Sequence, residues 1–389
     1  LYGFDDHDGF QALYSLSLTE NPVRTLVASR PDVDIDRLIV VGPSRRVVGV
    51  SYANEKRVTE YFDAQLARLR TALSKALPDQ PLVDILDASA DENKLLLLGS
   101  ADTNPGMIYL YDKGTHELNQ VLPLRSALEG AKLAPVRPVS FKAADGTVVP
   151  GYLTLPPGST GKGLPAIVMP HGGPAARDEW GFDWLAQFFA ARGYAVLQPN
   201  FRGSAGYGSA WFQKNGFQSW RTAIGDVNDA GRWLLAEGVA APGKLAIFGW
   251  SYGGYAALQG AATAPDLYKA VVAVAPVTDF DGLKRDASNY TNGRLVEALV
   301  GTGPHVREGS PAQHADAFQA PVLMFHGDLD ENVNVAQSRL MERKLKAAGK
   351  PVTYVEFDGL DHYLDSSAAR TRLLSESDAF IRKALGIAP

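Results

Sequence analysis

The sequence contains no cysteine among its 389 residues. This absence excludes disulfide bonds, thiolate metal sites and a cysteine nucleophile, but it leaves the cellular compartment open. The sequence also lacks an unbroken apolar run of the roughly 20 residues that a membrane helix needs. The formal net charge is −5 and no block of basic residues is present. The composition therefore gives no sign of a membrane span or of a nucleic-acid surface.

Length and composition indicate a globular protein with more than one core. A chain of 389 residues is long for a single ordinary core, so we expect two domains. The apolar fraction of 46% is normal for a globular protein. The chain begins at Leu1, with neither Met nor a signal-peptide pattern, and we expect a mature or truncated product.

The N-terminal third has the pattern of short antiparallel strands. The stretch "LLLLGSADTNPGMIYLYDKGTHELNQVL" predicts three strands with turns at "ADTNPG" and "DKGTH". The stretch "RLIVVGPSRRVVGVSYANEKRVTEYF" has the same rhythm, which is typical of propeller blades of roughly 40–45 residues. The stretch "DAQLARLRTALSKALPDQ" interrupts it and predicts an amphipathic helix that packs on a blade.

Residues 1–132 are therefore predicted to form the C-terminal blades of a β-propeller. A segment of this length makes about three blades, whereas closed propellers have four to eight. An open arc leaves unpaired sheet edges. We expect the rest of the propeller to be missing from this chain or to lie on a companion chain, and an oligomer is an alternative way to cover the edge.

Residues 133–389 have a different pattern, in which strands and helices alternate. Buried strands such as "LPAIVMP", "YAVLQPN", "KLAIFGW" and "KAVVAVAP" are separated by helices such as "DWLAQFFAARG" and "DVNDAGRWLLAEG". This alternation predicts an α/β domain with a mostly parallel sheet that is covered by helices on both faces.

One serine lies at a junction in that pattern where a nucleophile can be exposed. Ser251 stands in "GWSYGGYAAL", between a predicted strand and a predicted helix. In such a strand–turn–helix elbow, Gly249 and Gly253 remove side chains that would collide, and Ser251 projects above the sheet. The backbone N–H of Tyr252 is then expected to donate to a tetrahedral oxyanion. The alternative for Ser251 is an ordinary helix N-cap.

The partners of such a serine follow later in the chain, in the order Asp and then His. The loop "HGDLDENV" offers Asp328, Asp330 and Glu331, of which we favour Asp330 as the acid and expect Asp328 to shape the turn. His362 is the histidine that follows the next strand, and we predict that it is the general base. His171 and His326 are expected to hydrogen-bond within their own loops. A metal site is the alternative, but no ligand spacing supports one, and no cofactor is predicted.

A second oxyanion donor is expected from the loop "MPHGGPAARDEW". Its glycines allow the backbone to approach a substrate closely, and Gly173 is the predicted N–H donor, with Gly172 next. The alternative is a tight turn without a catalytic role.

Together these segments resemble the prolyl oligopeptidase family of serine peptidases, in its acylaminoacyl and dipeptidyl peptidase branches. The resemblance rests on "PHGGP", "QPNFRGSAGYG", "GWSYGGYAAL", "HGDLDENV" and "LDHYLD". It implies a β-propeller that caps an α/β-hydrolase domain. Asn332 stands where many relatives have Arg, and the dipeptidyl peptidase branch is similar in having Asn, which implies a contact with the substrate backbone. The resemblance also implies an apolar pocket for the residue that precedes the cleaved bond, with these candidates unless they are core residues: Val277, Phe280, Val333, Tyr290.

The sequence predicts a serine exopeptidase that acts on short peptides, of the dipeptidyl or acylaminoacyl type. The alternatives are a lasso-peptide isopeptidase or an esterase on the same fold, and a non-catalytic propeller scaffold. The loop "GLDHYLD" resembles that of an exported bacterial subgroup, so a periplasmic or secreted location is expected.

Overall fold

The computed structural model describes residues 1–388. The chain forms two compact units. The first consists of Leu1–Val136 with Glu179–Gln187 and Gly206–Ala210, and the second consists of the intervening and following residues. The sequence predicts one division, between residues 132 and 133, whereas the structure divides the chain after Val136 and adds two later segments to the first unit.

Three small antiparallel sheets make up most of the first unit. Their strand orders are β1-β2-β3, β4-β5-β6 and β10-β9-β8-β7, and none of them closes into a barrel within the described residues. The elements are β1 (Tyr2–His7), β2 (Phe10–Leu16), β3 (Arg24–Ala28), β4 (Ile35–Val41), β5 (Arg46–Ala53), β6 (Arg57–Tyr61), α1 (Ala64–Ala76), β7 (Leu82–Ala88), β8 (Lys94–Ala101), β9 (Asn104–Asp112) and β10 (Leu118–Pro123).

The inserted helix α1 forms where the sequence predicts it. The Asp63 carboxylate caps its first turn by accepting hydrogen bonds from the N–H groups of Gln65 and Leu66. Leu66 and Leu73 are buried in a core that also contains residues of β4, β5, β7, β8 and β9. The helix therefore fills the space beside the second and third sheets. A second small core joins β2, β4 and β5.

The remaining elements build one large sheet with its helices. They are β11 (Val136–Lys142), β12 (Val148–Thr154), β13 (Leu164–Val168), α2 (Trp184–Ala191), β14 (Ala195–Pro199), α3 (Ser209–Phe212), α4 (Trp220–Ala236), β15 (Ala240–Trp250), α5 (Tyr252–Thr263), β16 (Ala270–Val274), α6 (Phe280–Ala287), α7 (Gly293–Val300), α8 (His305–Glu308), β17 (Val322–Gly327), α9 (Ala336–Ala347), β18 (Val352–Phe357) and α10 (Ser367–Leu385). Short 3-10 helices occur at Ser126–Leu128, Pro311–Gln313 and Ala315–Ala317.

The eight strands of the large sheet have the order β11-β12-β14-β13-β15-β16-β17-β18. β12 pairs with β14 in antiparallel fashion, and every pair from β14 to β18 is parallel. Leu245 and Ile247 of β15 belong to the main core with residues of α4 and α5. Phe248 points to the other face, where its ring lies 5.3 Å from that of Phe189. Both faces are covered, which the strand–helix alternation predicts, and β15 ends near the middle of the sheet.

Four of these helices were not predicted from the sequence. They are the short helices α3 and α8 and the two helices α6 and α7, which follow β16 in a stretch for which the sequence analysis makes no prediction. α4 also begins at Trp220, six residues before the predicted start at Asp226. The helices α6 and α7 matter for function because they form one wall of the cavity described below.

Candidate active site

Ser251 occupies a sharp turn between β15 and α5. Its backbone has φ 60° and ψ −123°, a conformation that side-chain-bearing residues rarely adopt. The Ser251 N–H donates to the Val274 carbonyl at 2.8 Å, and its own carbonyl accepts from the Tyr255 N–H at 3.0 Å. No other described residue hydrogen-bonds the Ser251 hydroxyl. The serine is thus held by its backbone, and its side chain remains available for chemistry.

The two glycines of G-x-S-x-G are required by space. A Cβ atom at Gly249 would collide with the Gly253 carbonyl, and one at Gly253 would collide with the Pro170 carbonyl. The elbow can therefore close only with glycine at both positions. A Cβ atom at Gly172 would lie 3.5 Å from the Cβ of Ser251, so the "HGGP" loop passes directly beside the serine.

Asp330 and His362 form a buried pair. The His362 Nδ1 lies 2.6 Å from the Asp330 Oδ2, and the exposed fractions of the two residues are 6% and 4%. The other carboxylate oxygen, Oδ1, accepts from the N–H groups of Asn332 at 2.9 Å and Val333 at 2.8 Å. Because a carboxylate can only accept, Nδ1 carries the proton and Nε2 of His362 is free to take one.

Asp330 is held in its ionised form. Its burial alone would raise its pKa, but hydrogen bonds from His326 and His362 outweigh this effect and lower the pKa to about 2. Asp328 has the other role that was predicted for it. Its Oδ1 accepts from the N–H of Gly359 at 2.7 Å, which fixes the turn between two loops.

A hydrogen bond ties the histidine loop to the elbow. The indole Nε1 of Trp250, the residue before Ser251, donates to the His362 carbonyl at 3.0 Å. This bond ties the loop that carries His362 to the residue next to Ser251, although 111 positions (362 − 251) separate the serine and the histidine in the sequence. The structure thus shows the Asp330–His362 pair and a loop tied to the elbow, and the catalytic roles of Ser251, Asp330 and His362 stay a prediction.

The "HGGP" loop is held by a partly buried histidine. His171 Nδ1 lies 2.7 Å from the Gly172 carbonyl, and its Nε2 lies 2.8 Å from the Ser204 Oγ. The ring stacks on Phe201 with a centroid separation of 4.4 Å. Burial lowers the pKa of His171 to about 4, so the imidazole is neutral near pH 7. His171 hydrogen-bonds within and next to its own loop, as predicted, and thereby fixes the backbone that leads to Gly173.

A cavity of about 310 Å³ opens beside Ser251 in the second unit. Gly173 and Tyr252, the predicted oxyanion donors, line it together with the serine. Apolar residues are the majority of those that line it, but polar atoms make up the larger part of its exposed surface. The complete lining is Gly173, Phe217, Ser251, Tyr252, Val277, Leu283, Asn292, Val296, Leu299, Val300, Glu331, Asn332 and Val333.

The predicted pocket residues divide into two groups. Val277, Val333 and Asn332 line the cavity. Phe280 does not line it. It is fully buried, with its ring 5.2 Å from that of Phe217, so it supports the wall from behind. Tyr290 is 47% exposed and lies in a separate depression on the outer side of α6 and α7.

Several cavity residues were missed at the level of the sequence. They come from the loop before α4 and from α6 and α7. In α7 the apolar spacing is a helical signal that would have identified the wall. The missed residues are Phe217, Leu283, Asn292, Val296, Leu299 and Val300, whereas Glu331, after β17, was considered only as a candidate acid.

The search for other kinds of site gives two negative findings. Within residues 1–388, no group of three or more His, Cys, Asp or Glu side chains is arranged to hold a metal ion. In the same part of the chain, no helix has both the length and the apolar character that crossing a membrane requires.

A serine on a strand–helix elbow, a buried Asp–His pair and a glycine loop beside the serine, all on a mainly parallel sheet, define the class of the α/β serine hydrolases. Within that class, the sequence profile of the prolyl oligopeptidase family, a family of peptidases, matches residues 180–388. The chain belongs to this family, and the prediction from the sequence is confirmed.

Relatives with known names support the assignment. The chain is 31% identical to dipeptidyl aminopeptidase BIII of Pseudoxanthomonas mexicana over 96% of its own length and 56% of the relative. It is 27% identical to dipeptidyl peptidase family member 6 of Caenorhabditis elegans over 78% of its length and 45% of the relative. The chain thus spans about half the length of these curated relatives.

Solved structures agree on the fold. A puromycin-hydrolyzing peptidase of Mycobacterium tuberculosis superimposes with a TM-score of 0.80 at 24% identity, over 100% of this chain and 60% of the other. Dipeptidyl peptidase 4 of Porphyromonas gingivalis superimposes with a TM-score of 0.77 at 19% identity, over 98% of this chain and 54% of the other. At these identities the likeness concerns the fold alone.

Proposed function

We propose that this chain carries the catalytic site of a serine exopeptidase that hydrolyses short peptides, of the dipeptidyl or acylaminoacyl type. The observation that carries the proposal is the constellation at the end of β15. Ser251 stands on the elbow, and the hydrogen-bonded His362 Nδ1 lies 2.6 Å from the Oδ2 of a buried Asp330. The names of the relatives, which include a dipeptidyl aminopeptidase and acylamino-acid-releasing enzymes, support this substrate class.

The proposed reaction has two stages, formation of an acyl ester on Ser251 and hydrolysis of that ester, and the same groups act in both. As Ser251 Oγ attacks the carbonyl carbon of the peptide bond, His362 Nε2 takes the hydroxyl proton. The negative charge that develops on the carbonyl oxygen is stabilised by the N–H groups of Tyr252 and Gly173. The C–N bond then breaks, His362 gives its proton to the leaving amine, and an acyl ester on Ser251 remains. Water hydrolyses the ester through the same groups, and Ser251 recovers its proton.

The ionised acid supports this route. With its pKa lowered to about 2, Asp330 carries a full negative charge at any pH where a peptidase operates. That charge stabilises the imidazolium of His362 that forms in each step, and the hydrogen bond to Nδ1 keeps Nε2 directed at the serine. The apolar wall that includes Val277 and Val333 suits an apolar side chain before the cleaved bond.

We also propose that the first unit is part of a β-propeller whose other blades lie on a further segment or companion chain. Its three consecutive small sheets, with cores shared between neighbours, support this proposal. The greater length of the relatives agrees with it. Such a propeller would favour short peptides over folded proteins as substrates. A periplasmic or secreted location is proposed from the resemblance of the "GLDHYLD" loop.

The experiment that tests the function is a substrate panel on the 389-residue chain and on its Ser251→Ala variant. The panel contains aminoacyl, N-acyl-aminoacyl and dipeptidyl p-nitroanilides and a simple p-nitrophenyl ester. We expect amide hydrolysis that depends on Ser251, with dipeptidyl or N-acyl substrates preferred. Hydrolysis of the ester alone would indicate an esterase, and hydrolysis of a lasso peptide without any linear amide would indicate an isopeptidase. Neither hydrolysis nor labelling of Ser251 by a fluorophosphonate would indicate a non-catalytic scaffold.

A further inference from the structure

A second histidine contacts the carboxylate of Asp330. His326, at the end of β17, is completely buried, and its Nε2 lies 3.1 Å from the Asp330 Oδ2, the same oxygen that His362 contacts. The same Nε2 lies 2.8 Å from the carbonyl oxygen of Val333, in the cavity wall. On the opposite side of the ring, Nδ1 lies 2.7 Å from the hydroxyl oxygen of Ser338, which is also fully buried, on α9.

These contacts determine where the proton of His326 lies. Nε2 faces a carboxylate and a carbonyl, and both can only accept, so Nε2 must carry a hydrogen and donate it. The Ser338 hydroxyl can then donate to the bare Nδ1, which satisfies every polar atom of a neutral ring. The remaining charged group nearby, Glu356 on the adjacent strand, is engaged with Arg339, whose Nε donates to it at 2.9 Å. His326 therefore acts toward Asp330 as a fixed donor.

We propose that His326 is a positioning residue for the Asp330–His362 pair, with Ser338 fixing its tautomer. Asp330 receives two backbone N–H groups on Oδ1 and two imidazole N–H groups on Oδ2. The backbone donors come from the residues just after it, whereas His326 comes from the rigid strand β17. His326 thus holds the Asp330 Oδ2 in place relative to the sheet. Because His362 contacts the same oxygen, His326 also fixes the position and orientation of the His362 ring. The inference rests on the proposed peptidase function.

Removal of the His326 donor should shift the pH profile of kcat/KM in a predictable direction. A carboxylate that loses one hydrogen bond becomes a stronger acceptor for the other, so the protonated form of His362 is stabilised. The acid limb of the pH profile of kcat/KM, where the base becomes neutral, should move to higher pH. A residue with a merely structural role would change the amount of folded enzyme but would not move this limb.

The test compares His326→Leu, which removes the donor, with His326→Gln, which keeps an amide N–H near Nε2. Each kcat is normalised to active sites that are titrated with a fluorophosphonate. We expect kcat to fall on the order of tenfold in H326L, the size of one lost hydrogen bond to a charged group, and to be largely restored in H326Q. We expect KM to change less than kcat, and the acid limb to move upward in H326L only.

Two outcomes would overturn the proposal. One is an H326L enzyme with the wild-type kcat per titrated site and an unmoved acid limb. The other is an H326Q enzyme that is as impaired as H326L. If H326L does not fold, His326→Phe provides the test, because it keeps an aromatic ring in the buried site but removes the N–H that Asp330 accepts. An upward shift of the acid limb in H326F supports the proposal, and an unchanged limb overturns it. A wild-type chain that neither hydrolyses nor labels would instead contradict the proposed function.

A separate observation concerns the charge of the cavity. Glu331 is the one side chain among the described lining residues that is negatively charged at neutral pH, and no lining residue is positively charged. Its carboxylate makes no ion pair or hydrogen bond within residues 1–388. The turn that holds it is rigid, because Asp330 Oδ1 binds the N–H groups of the next two residues, Asn332 and Val333.

From this placement we infer that Glu331 binds an ammonium group of the substrate, on the acyl side of the cleaved bond. An exposed, uncompensated carboxylate among apolar lining side chains such as Val296 and Val333 attracts a cation that has an apolar stem. A free α-amino group and a lysine side chain both provide this chemistry. This inference also rests on the proposed function, since it concerns substrates of the same serine.

Four p-nitroanilides distinguish the two sources: those of lysine and norleucine, each with a free or an acetylated α-amino group. In Glu331→Gln we expect kcat/KM to fall about fivefold for the substrate with the relevant cation, the upper range for an exposed charge pair. The acetylated norleucine compound should be unaffected. A loss that follows the free α-amine or the lysine side chain identifies the source.

The matched control is Glu297→Gln, which removes the same charge from α7 outside the cavity. An E331Q enzyme that changes all four substrates equally, or none of them, overturns the inference. Failure of the wild-type chain on all four substrates and on the dipeptidyl p-nitroanilides of the panel would instead count against the proposed function.

Discussion

The two units of this chain bury their apolar residues in different ways. The second unit has one extensive core around an eight-stranded sheet. The first has small sheets with two small cores between them. Its sheets leave many large apolar side chains exposed, among them Leu86, Val121 and Leu122. The comparison teaches that the unit that carries the chemistry is complete in its packing, whereas the other has surfaces suited to further contact.

The largest expected effect is a loss of activity in the second unit that leaves the stability of that unit almost unchanged. Ser251→Ala should lower kcat by about 10⁶-fold, because the nucleophile is lost. The free energy of unfolding should change by less than about 0.5 kcal/mol, since the hydroxyl has no partner in the fold. Hydrolysis assays, fluorophosphonate labelling and urea denaturation measure these effects. Normal activity in this variant would refute the assignment of the nucleophile.

The next effect distinguishes two acids within one loop. Asp330→Asn should lower kcat by about 10⁴-fold, because an amide can present an N–H to His362 and favour the wrong tautomer. Asp328→Asn is the control and should cost much less, since Asp328 only accepts from the N–H of Gly359. The effects of the two substitutions are measured as kcat at saturating substrate concentration. The reverse ranking would move the catalytic acid to Asp328.

A third prediction uses pH to probe a buried group of the complete core. Burial lowers the pKa of His171 from 6.5 to about 4, so the unfolded chain binds this proton first as the pH falls. The stabilisation from the neutral ring is full above pH 6.5 and is lost between pH 6.5 and 4. It amounts to about 3 kcal/mol of unfolding free energy.

The variant His171→Gln should lack this part of the pH dependence. Urea unfolding at pH 7, 5.5 and 4 measures it in both proteins. His116→Gln, at an exposed position of the first unit, serves as the control and should retain the wild-type slope. Parallel curves for the wild type and H171Q would show that His171 titrates normally.

The smallest expected effect concerns the exposed strands of the first unit. β10 is an edge strand with Val121 and Leu122 more than half exposed, and such an edge can pair with another chain. We expect concentration-dependent self-association in sedimentation velocity, weakened severalfold by Leu122→Lys. Val148→Lys in the second unit is the matched control and should leave association unchanged. A wild-type chain that stays monomeric at every concentration would contradict the prediction that the β10 edge of the first unit pairs with another chain.

The strand–helix alternation and the position of the triad residues could be predicted from the sequence because both depend on local pattern. Each triad residue follows a buried strand, and parallel strands end at one edge of the sheet. Phe280 and Tyr290 show where this reasoning fails. Both were candidates because they follow β16, the strand that comes after the serine-bearing elbow. The packing of α6 and α7 places Phe280 behind the cavity wall and Tyr290 outside the cavity.

The role of His326 was also beyond local reasoning. The sequence predicts only that it bonds within its loop, which is true of its contacts with Asp330 and Val333. Its link to Ser338 depends on how α9 packs, and no pattern in "HGDLDENV" shows that the imidazole reaches the catalytic carboxylate.

The hydrogen bond from Trp250 to the His362 carbonyl has a consequence for the timing of activity during synthesis. A ribosome releases the elbow well before it releases residue 362, so the growing chain holds a serine without its base. The indole can make this bond only after β18 has joined the sheet. In the proposed reaction the serine therefore acquires its base only when the loop after β18 has reached the elbow.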